Sequence, residues 1–322
     1  MLTYVSRRLL YSVPVVIVAS FLMFWMVRET YDPCARLRAS RDAAAVSRCE
    51  ERLRLDDPVV TQYGRWLGDA VRGDLGESSR THEAVEEMIP RALWSSVQLI
   101  FWGVLISAVV AIALGVYSAV RQYSVLDYTF TGLSFLGLAM PPFWFGLLAI
   151  ELLAVGPKRW FDLDQPLFYI VGLHSGDSSG FDLDYLRHLV LPVMTLTVQI
   201  VASWSRFQRA EMLDVMSADY VRTARAKGVP RRQVILRHGL RNALVPLLTV
   251  MALDIGALFG GVIVTETIFS IPGMGSLFVT SLSDGDAPVL AAWVLVTASL
   301  IVAFNLLADV LYSVLDPRVR LT

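Results

Sequence analysis

Asp219 to Pro246 read DYVRTARAKGVPRRQVILRHGLRNALVP, a basic, helix-forming stretch set between long apolar runs. Ser217 or Asp219 suits a helix N-cap, because a short side-chain oxygen there accepts from an unpaired first-turn N–H. Tyr220, Val221 and Ala224 recur at helical spacing and give one small, apolar face. Arg222, Arg225 and Lys227 occupy the remaining faces, with Arg225 and Lys227 in the last turn, where positive charge complements the helix dipole. Gly228 stands where a left-handed residue ends a helix. Pro230 then fits the first position of a second helix, which runs on through Val234, Ile235 and Leu240. The stretch therefore reads as a short helix, a fixed glycine turn and another helix. Two uses are open to it: a solvated basic loop lying on anionic lipid head groups, or a helix that docks into a partner. The fixed bend favours docking, since adhesion to lipid gains nothing from it.

Outward from this stretch the chain reads as a membrane protein. Of 322 residues, 55% are hydrophobic and 18% charged, too apolar and too weakly charged for a soluble domain of this length. The net charge of −1 implies no nucleic-acid partner. A bilayer core needs about 20 apolar residues per helix, and the qualifying runs are Leu9–Val27, Val97–Val120, Tyr128–Val155, Leu189–Phe207, Leu244–Phe269 and Val289–Leu315. Arg7 and Arg8 before the first run resemble the opening of a signal peptide, but no small-residue cleavage site follows and the run is long enough to span. Six spans put both termini on one side. The positive-inside rule makes that side cytoplasmic: Arg7, Arg8, Arg121, the arginines of the opening stretch, Arg318 and Arg320 all fall there. The opposite loop from Gly156 to His188 is acid-rich, with Asp162, Asp164, Asp177, Asp182 and Asp184.

YVRTARAKGV followed by RHGLRNALVPLLTV resembles the cytoplasmic docking loop of ABC importer permeases, in the branch that handles peptides, opines and nickel. The residue types from Tyr220 to Gly228 agree, as do Arg241, Asn242, Ala243, Leu244 and Pro246; the Glu-Ala-Ala core of the motif is Thr223–Ala224–Arg225 here. The resemblance implies an all-α integral membrane protein with six transmembrane helices in the type I ABC importer permease fold. It implies a first span at 1–27, a structured extracytoplasmic loop at 28–95, a five-helix core at 96–315 holding the docking loop 207–243, and a cytoplasmic tail at 316–322. It assigns Tyr220, Arg222, Ala224, Arg225, Lys227, Gly228 and Val229 to a groove on an ATPase subunit. The implied partners are a second homologous permease, two ATPase subunits carrying ATP and magnesium, an extracytoplasmic substrate-binding protein and membrane lipid, in a bacterial cell membrane. The chain itself is expected to bind no cofactor.

In the first outer loop, Asp57 and Pro58 mark a helix start, and Val59, Val60, Tyr63, Trp66, Leu67, Ala70 and Val71 make an apolar stripe ending at Gly73. Thr81 to Leu93 carries a second stripe through Val85, Met88 and Ile89; both suit the membrane interface, with Trp66 and Trp94 at head-group level. DDPVVTQYGRWLGDAVRGDLGES also resembles the same branch, whereas Tyr31 to Arg54 does not and reads as an insertion. Its two cysteines, Cys34 and Cys49, face an oxidising compartment, so a disulfide is expected, and closing such a loop stabilises by about 3 kcal/mol. A closed, protruding loop suits contact with an external binding protein.

Within the spans, Pro141 and Pro142 bend the third run; the bend is either a packing kink or the opening of a cavity beside Phe143 and Trp144. Pro141, Phe143, Trp144 and Gly146 also resemble a pattern of the family. Asp254 lies near the middle of the fifth run. A carboxylate in hydrocarbon marks a path by default, and a hydrogen bond to a neighbouring helix or a protonated acid are the alternatives. Phe143, Trp144 and Asp254 are the candidate path residues. Glu151 and Glu266 lie nearer the outer ends of their runs, within reach of head groups, and Gly256, Gly260 and Gly261 permit close helix approach. There is no GxxxxGK[ST] phosphate loop, and His82, His174, His188 and His238 are scattered without a nucleophile at usable spacing, which argues against an enzyme. Peptides are the expected cargo, with nickel chelates, opines and glutathione as runners-up. A proton-coupled transporter using Asp254 and a membrane-anchored scaffold are the readings from other classes.

Overall fold

The computed structural model describes residues 2–32, 34, 38, 43–176 and 180–315, with the backbone alone described at 2–6, 9, 52–53, 261 and 311–315. The expectations for Asp177 and for the 316–322 tail with Arg318 and Arg320 lie outside the described residues. In chain order the helices are α1 (Leu2–Thr30), α2 (Ala43–Leu53), α3 (Val59–Ala70), α4 (Val85–Val120), α5 (Val125–Ala139), α6 (Pro142–Ala149), α7 (Gly156–Trp160), α8 (Leu183–Ser217), α9 (Asp219–Ala226), α10 (Arg231–Gln233), α11 (Arg241–Gly261), α12 (Ile263–Ile268), α13 (Met274–Asp284) and α14 (Ala287–Leu315). π-Helical segments at Ile150–Val155 and Val234–Leu240 join α6 to α7 and α10 to α11. The protein is all-α; an isolated antiparallel bridge pairs Glu77 with Ala84.

Five helices are long and apolar enough to cross a membrane, and α5 with the helices after it makes a sixth crossing if the bent pair is one span. The third apolar run is thus not the single helix expected over Tyr128–Val155: its two halves meet at 107°. The cause is Pro141, which pushes Met140 out of helical geometry, to φ −79° and ψ 126°. The carbonyl of Met140 then accepts from Gln199 Nε2 at 3.0 Å, satisfying a backbone group that hydrocarbon would otherwise leave bare. Contacts along α8 show that the pair advances in one direction. Asp127 lies on Arg209, Ser134 on Ser205, Gly137 on Val198 and Ala202, Gly146 on Thr195, and Tyr169 on Arg187. From Arg209 to Arg187 α8 rises about 33 Å, close to the thickness of a bilayer core of about 30 Å.

Other boundaries differ for physical reasons. Val85, Met88 and Ile89 do not form a separate interfacial helix; they open α4, which runs unbroken for 36 residues. The fifth run stops at Gly261 and restarts as the short α12. Trp66 packs on Phe24 and Tyr63, with ring centroids 6.1 and 5.9 Å away, and its indole donates to the Leu75 carbonyl at 3.2 Å. It is therefore partly buried against the core, whereas Trp94 is exposed. Glu266 is fully buried within the fold. Cys34 and Cys49 are joined by a disulfide, with Cα atoms 6.2 Å apart.

The chain divides into two compact units. One comprises residues 97–271 and the chain from 303 onward. Its centre is the packing of α8 on α4, α5 and α11: Trp204, Ala111 and Leu247 are fully buried together. Gly115 makes this possible, because a Cβ there would lie 2.7 Å from Gln208 Cβ and 2.8 Å from the Ser205 carbonyl oxygen. The other unit comprises residues 2–96 and 272–302. Val85, Ile89 and Ala92 of α4 pack there against Met274, Val289 and Trp293. Trp293 Nε1 donates to the Met274 carbonyl at 2.7 Å, and the Met274 N–H donates to Ser96 Oγ at 2.8 Å, fixing the turn before α13. Buried Asp286 accepts from the Ser78 hydroxyl and from the Ser79 N–H, the latter at 3.1 Å, and Arg80 pairs with Asp284.

Replacing Gly115 by valine is expected to destabilise the detergent-solubilised protein by about 1–3 kcal/mol, the usual cost of overpacking. Gly132→Val is the comparison, since nothing lies within 4 Å of a Cβ built there. Thermal unfolding midpoints of the two variants decide the point: equal midpoints would refute the close approach of α4 and α8.

Candidate docking site and membrane path

Eight residues are too few to hold a helix in water by themselves, so α9 depends on its inner face. Val221 is fully buried and Ala224 is 8% exposed; both pack with Val234 against Val215, Met216 and Val229. The outer face presents Arg222, Thr223, Arg225 and Lys227, all exposed. Tyr220 is 46% exposed, and its hydroxyl accepts from Asn242 Nδ2 at 3.2 Å, tying the start of α9 to α11. Ala224 thus anchors the helix to its own body, and the surface offered to a neighbour is the cationic one.

The ends of α9 are set by backbone geometry. Neither Ser217 nor Asp219 caps it: the N-cap position is Ala218, Ser217 Oγ donates to the Asp214 carbonyl, and Asp219 is the first helical residue, 3.6 Å from Arg222. At the other end Gly228 adopts φ +76°, and its N–H donates to the Arg225 carbonyl at 3.0 Å while the Val229 N–H donates to that of Ala224 at 3.2 Å. Pro230 is the N-cap of α10, one position before the place the sequence suggests. The chain then widens into the π segment Val234–Leu240, and Gly239 brings it onto α8: a Cβ there would lie 2.7 Å from Met212 Cε. A cavity of about 630 Å³ beside α9 is lined in part by Met216, Arg225, Val229, Arg231 and Val234, so two guanidinium groups border an apolar floor.

A short helix clamped by two small apolar residues, ended by a left-handed glycine and followed by a spanning helix is the geometry that the sequence resemblance implies. Residues 111–321 match the family model described as the binding-protein-dependent transport system inner membrane component. The chain belongs to that family. It is a multi-pass membrane component of a transport system, built on the type I ABC permease fold. Relatives match along the whole length. The chain is 38% identical to the oligopeptide transport system permease protein AppB of Bacillus subtilis (strain 168), over 99% of this chain and all of that protein. It is 35% identical to the dipeptide transport system permease protein DppB of Escherichia coli (strain K12), over 99% of each. A crystal structure of an amino acid ABC transporter with histidines is 10% identical at a TM-score of 0.48, covering 72% of this chain and 94% of that one.

Of the three candidate path residues of this family member, two lie on α6 and one on α11. Phe143 and Trp144 are about half exposed on α6. Asp254 sits on α11 and accepts a hydrogen bond from the indole Nε1 of fully buried Trp204, at 2.7 Å. A bond to a neighbouring helix is thus what holds this carboxylate, one of the alternatives open from the sequence.

Two polar links were missed. Asp127 is 3% exposed and accepts from Arg209 Nε and Nη2, each at 3.1 Å; it also accepts from the Tyr123 N–H at 2.9 Å, while Ser124 Oγ accepts from the Asp127 N–H at 3.2 Å. The Ser124-x-x-Asp127 spacing is a capping-box signature that signals the helix start, but no local pattern names Arg209 as the distant partner. Nor does any local pattern pair Gln199 with Met140. The bidentate pair ties the start of α5 to α8, eight residues before α8 ends at Ser217.

Arg209→Met leaves a buried carboxylate without its cation and is expected to cost about 3 kcal/mol, whereas Arg222→Met, at an exposed pair, should cost about 0.5 kcal/mol or less. Unfolding of the two variants in detergent checks the ranking, and a smaller loss for Arg209→Met than for Arg222→Met would overturn it.

Proposed function

We propose that this chain is one of two membrane-spanning subunits of an ATP-driven importer that takes up peptides delivered by an external binding protein. The observation that carries the reading is α9, packed inward through Val221 and Ala224 and turned at Gly228, with a cationic face left open. In this reading α9 lies in the cytoplasm, where the arginine bias places it, and both termini lie on the same side. Each of two ATPase subunits holds one such helix, one from this chain and one from a second, homologous permease. ATP and magnesium reside on those subunits, and this chain contributes no catalytic group. Peptides are favoured as cargo because the relatives named above are oligopeptide and dipeptide permease proteins.

The physical route for coupling is short. A displacement of α9 acts on Val234 and Met216 through direct apolar contact, and so on the start of α11 and the end of α8. Met212 and Ala243, buried together with Ala119, carry it to α4. The Asp127–Arg209 pair carries it to α5. A coupling of this kind requires an element with two arrangements that both ends bias, and the bundle around α8 is that element here.

Gly228→Pro tests the assignment, because proline cannot adopt φ +76°. In the reconstituted complex the variant should insert and still support ATP hydrolysis, with peptide uptake reduced at least about tenfold. Uptake at the normal rate, or uptake by the isolated chain driven by a proton gradient without ATP, would overturn the reading.

A further inference from the structure

We propose that His174, Asp182 and Asp184 form a divalent-cation site that clasps the loop before α8 to the first turn of that helix. The sequence scatters these residues, but the fold brings them together. One ring nitrogen of His174 and one carboxylate oxygen of each aspartate lie within 4.8 Å of one another. His174 Nδ1 is buried and has no hydrogen-bond partner among the described residues. A buried ring nitrogen without a partner is costly, and it belongs to the same partly buried imidazole that meets the two carboxylates.

Each donor is also held from behind, as metal ligands generally are. The His174 ring stacks on Tyr185 at 5.0 Å, and Tyr185 is itself buried. Asp182 caps α8 by accepting from the Tyr185 N–H at 2.8 Å. Asp184 accepts from the Ser175 N–H at 2.8 Å through Oδ2, which lies 3.5 Å from His188 Nδ1. That same nitrogen is 2.9 Å from the Asp184 carbonyl oxygen, and His188 is 3% exposed. His188 is therefore a positioning residue for Asp184.

The charge balance favours a cation. Two carboxylates this close repel one another, and the positive end of α8 offsets only part of that. One nitrogen and two oxygens suit zinc and its first-row neighbours better than calcium, which takes six to eight oxygens. Zinc bound by three protein groups keeps a fourth position for water. The clasp would stiffen a loop already joined to the segment after α12, where the Gly172 N–H donates to the Phe269 carbonyl at 2.8 Å.

The test uses the full permease complex, stripped with a chelator and reloaded with zinc. Bound zinc is counted by elemental mass spectrometry, and the unfolding midpoint is read with and without the metal. His174→Phe keeps a ring against Tyr185 while removing the ligand, and Asp184→Asn removes a charge with little change in size. The expected result is one zinc per chain above the count in either variant, with a midpoint raised by several degrees in the native protein alone. Equal zinc counts in the native protein and His174→Phe, or no zinc retained by the native protein, would overturn the proposal. So would zinc bound without any rise in midpoint. Co-elution of each variant with the complex establishes that it has folded.

Discussion

The contact of Val221 and Ala224 with Val234 and Met216 is what the rest of the unit depends on. An isolated helix of about two turns is marginal in water, and Arg222, Arg225 and Lys227 on one short segment add repulsion. The small inner residues let α9 sit close enough to α8 and the π segment for this contact to hold it. With that contact in place, a short polar helix becomes an extension of two membrane helices. Without it, the same sequence would be a flexible basic loop.

A second constraint comes from hydrocarbon. Every break in a spanning helix exposes backbone groups that the bilayer cannot satisfy. The break at Met140–Pro141 meets this demand with Gln199, while the turn at Tyr123 between two spans, where φ is +61°, is held by the Asp127 carboxylate. Both arrangements are made from α8 or bonded to it, through Gln199 and Arg209. The longest contacts of the unit therefore run along one helix, which supplies the polar groups that let its neighbours be irregular.

Much of this was legible in the sequence. Apolar runs of spanning length located five of the helices, because desolvation in a bilayer leaves few alternatives to a helix. Pro58 and Gly73 bracketed α3 correctly, and Gly228 showed its turn, because these residue types act through local backbone geometry. What was hidden depended on distant partners. Two prolines announce a bend but not its angle of 107°, nor that Gly146 of α6 lies against Thr195 and Ile268. The positions of Trp66 and Glu266 in the sequence do not show what they pack against: Trp66 is partly buried against the cluster around Val85 and Trp293, and Glu266 is fully buried. The cap of α9 failed for a subtler reason: Ser217 spends its hydroxyl on the preceding helix, leaving Ala218 at the junction.

Gly228 carries one further implication. A Cβ built there would meet nothing within 4 Å, so crowding is not what excludes a side chain. The objection is one of handedness alone, since φ +76° is disfavoured for L-residues and natural for their mirror images. A D-alanine introduced by chemical ligation would fit the bend and narrow the freedom of the unfolded chain at the same position. The chemistry of the joint is thus stereochemical: what it requires of the residue is a chirality, or the lack of one, and no particular side-chain function.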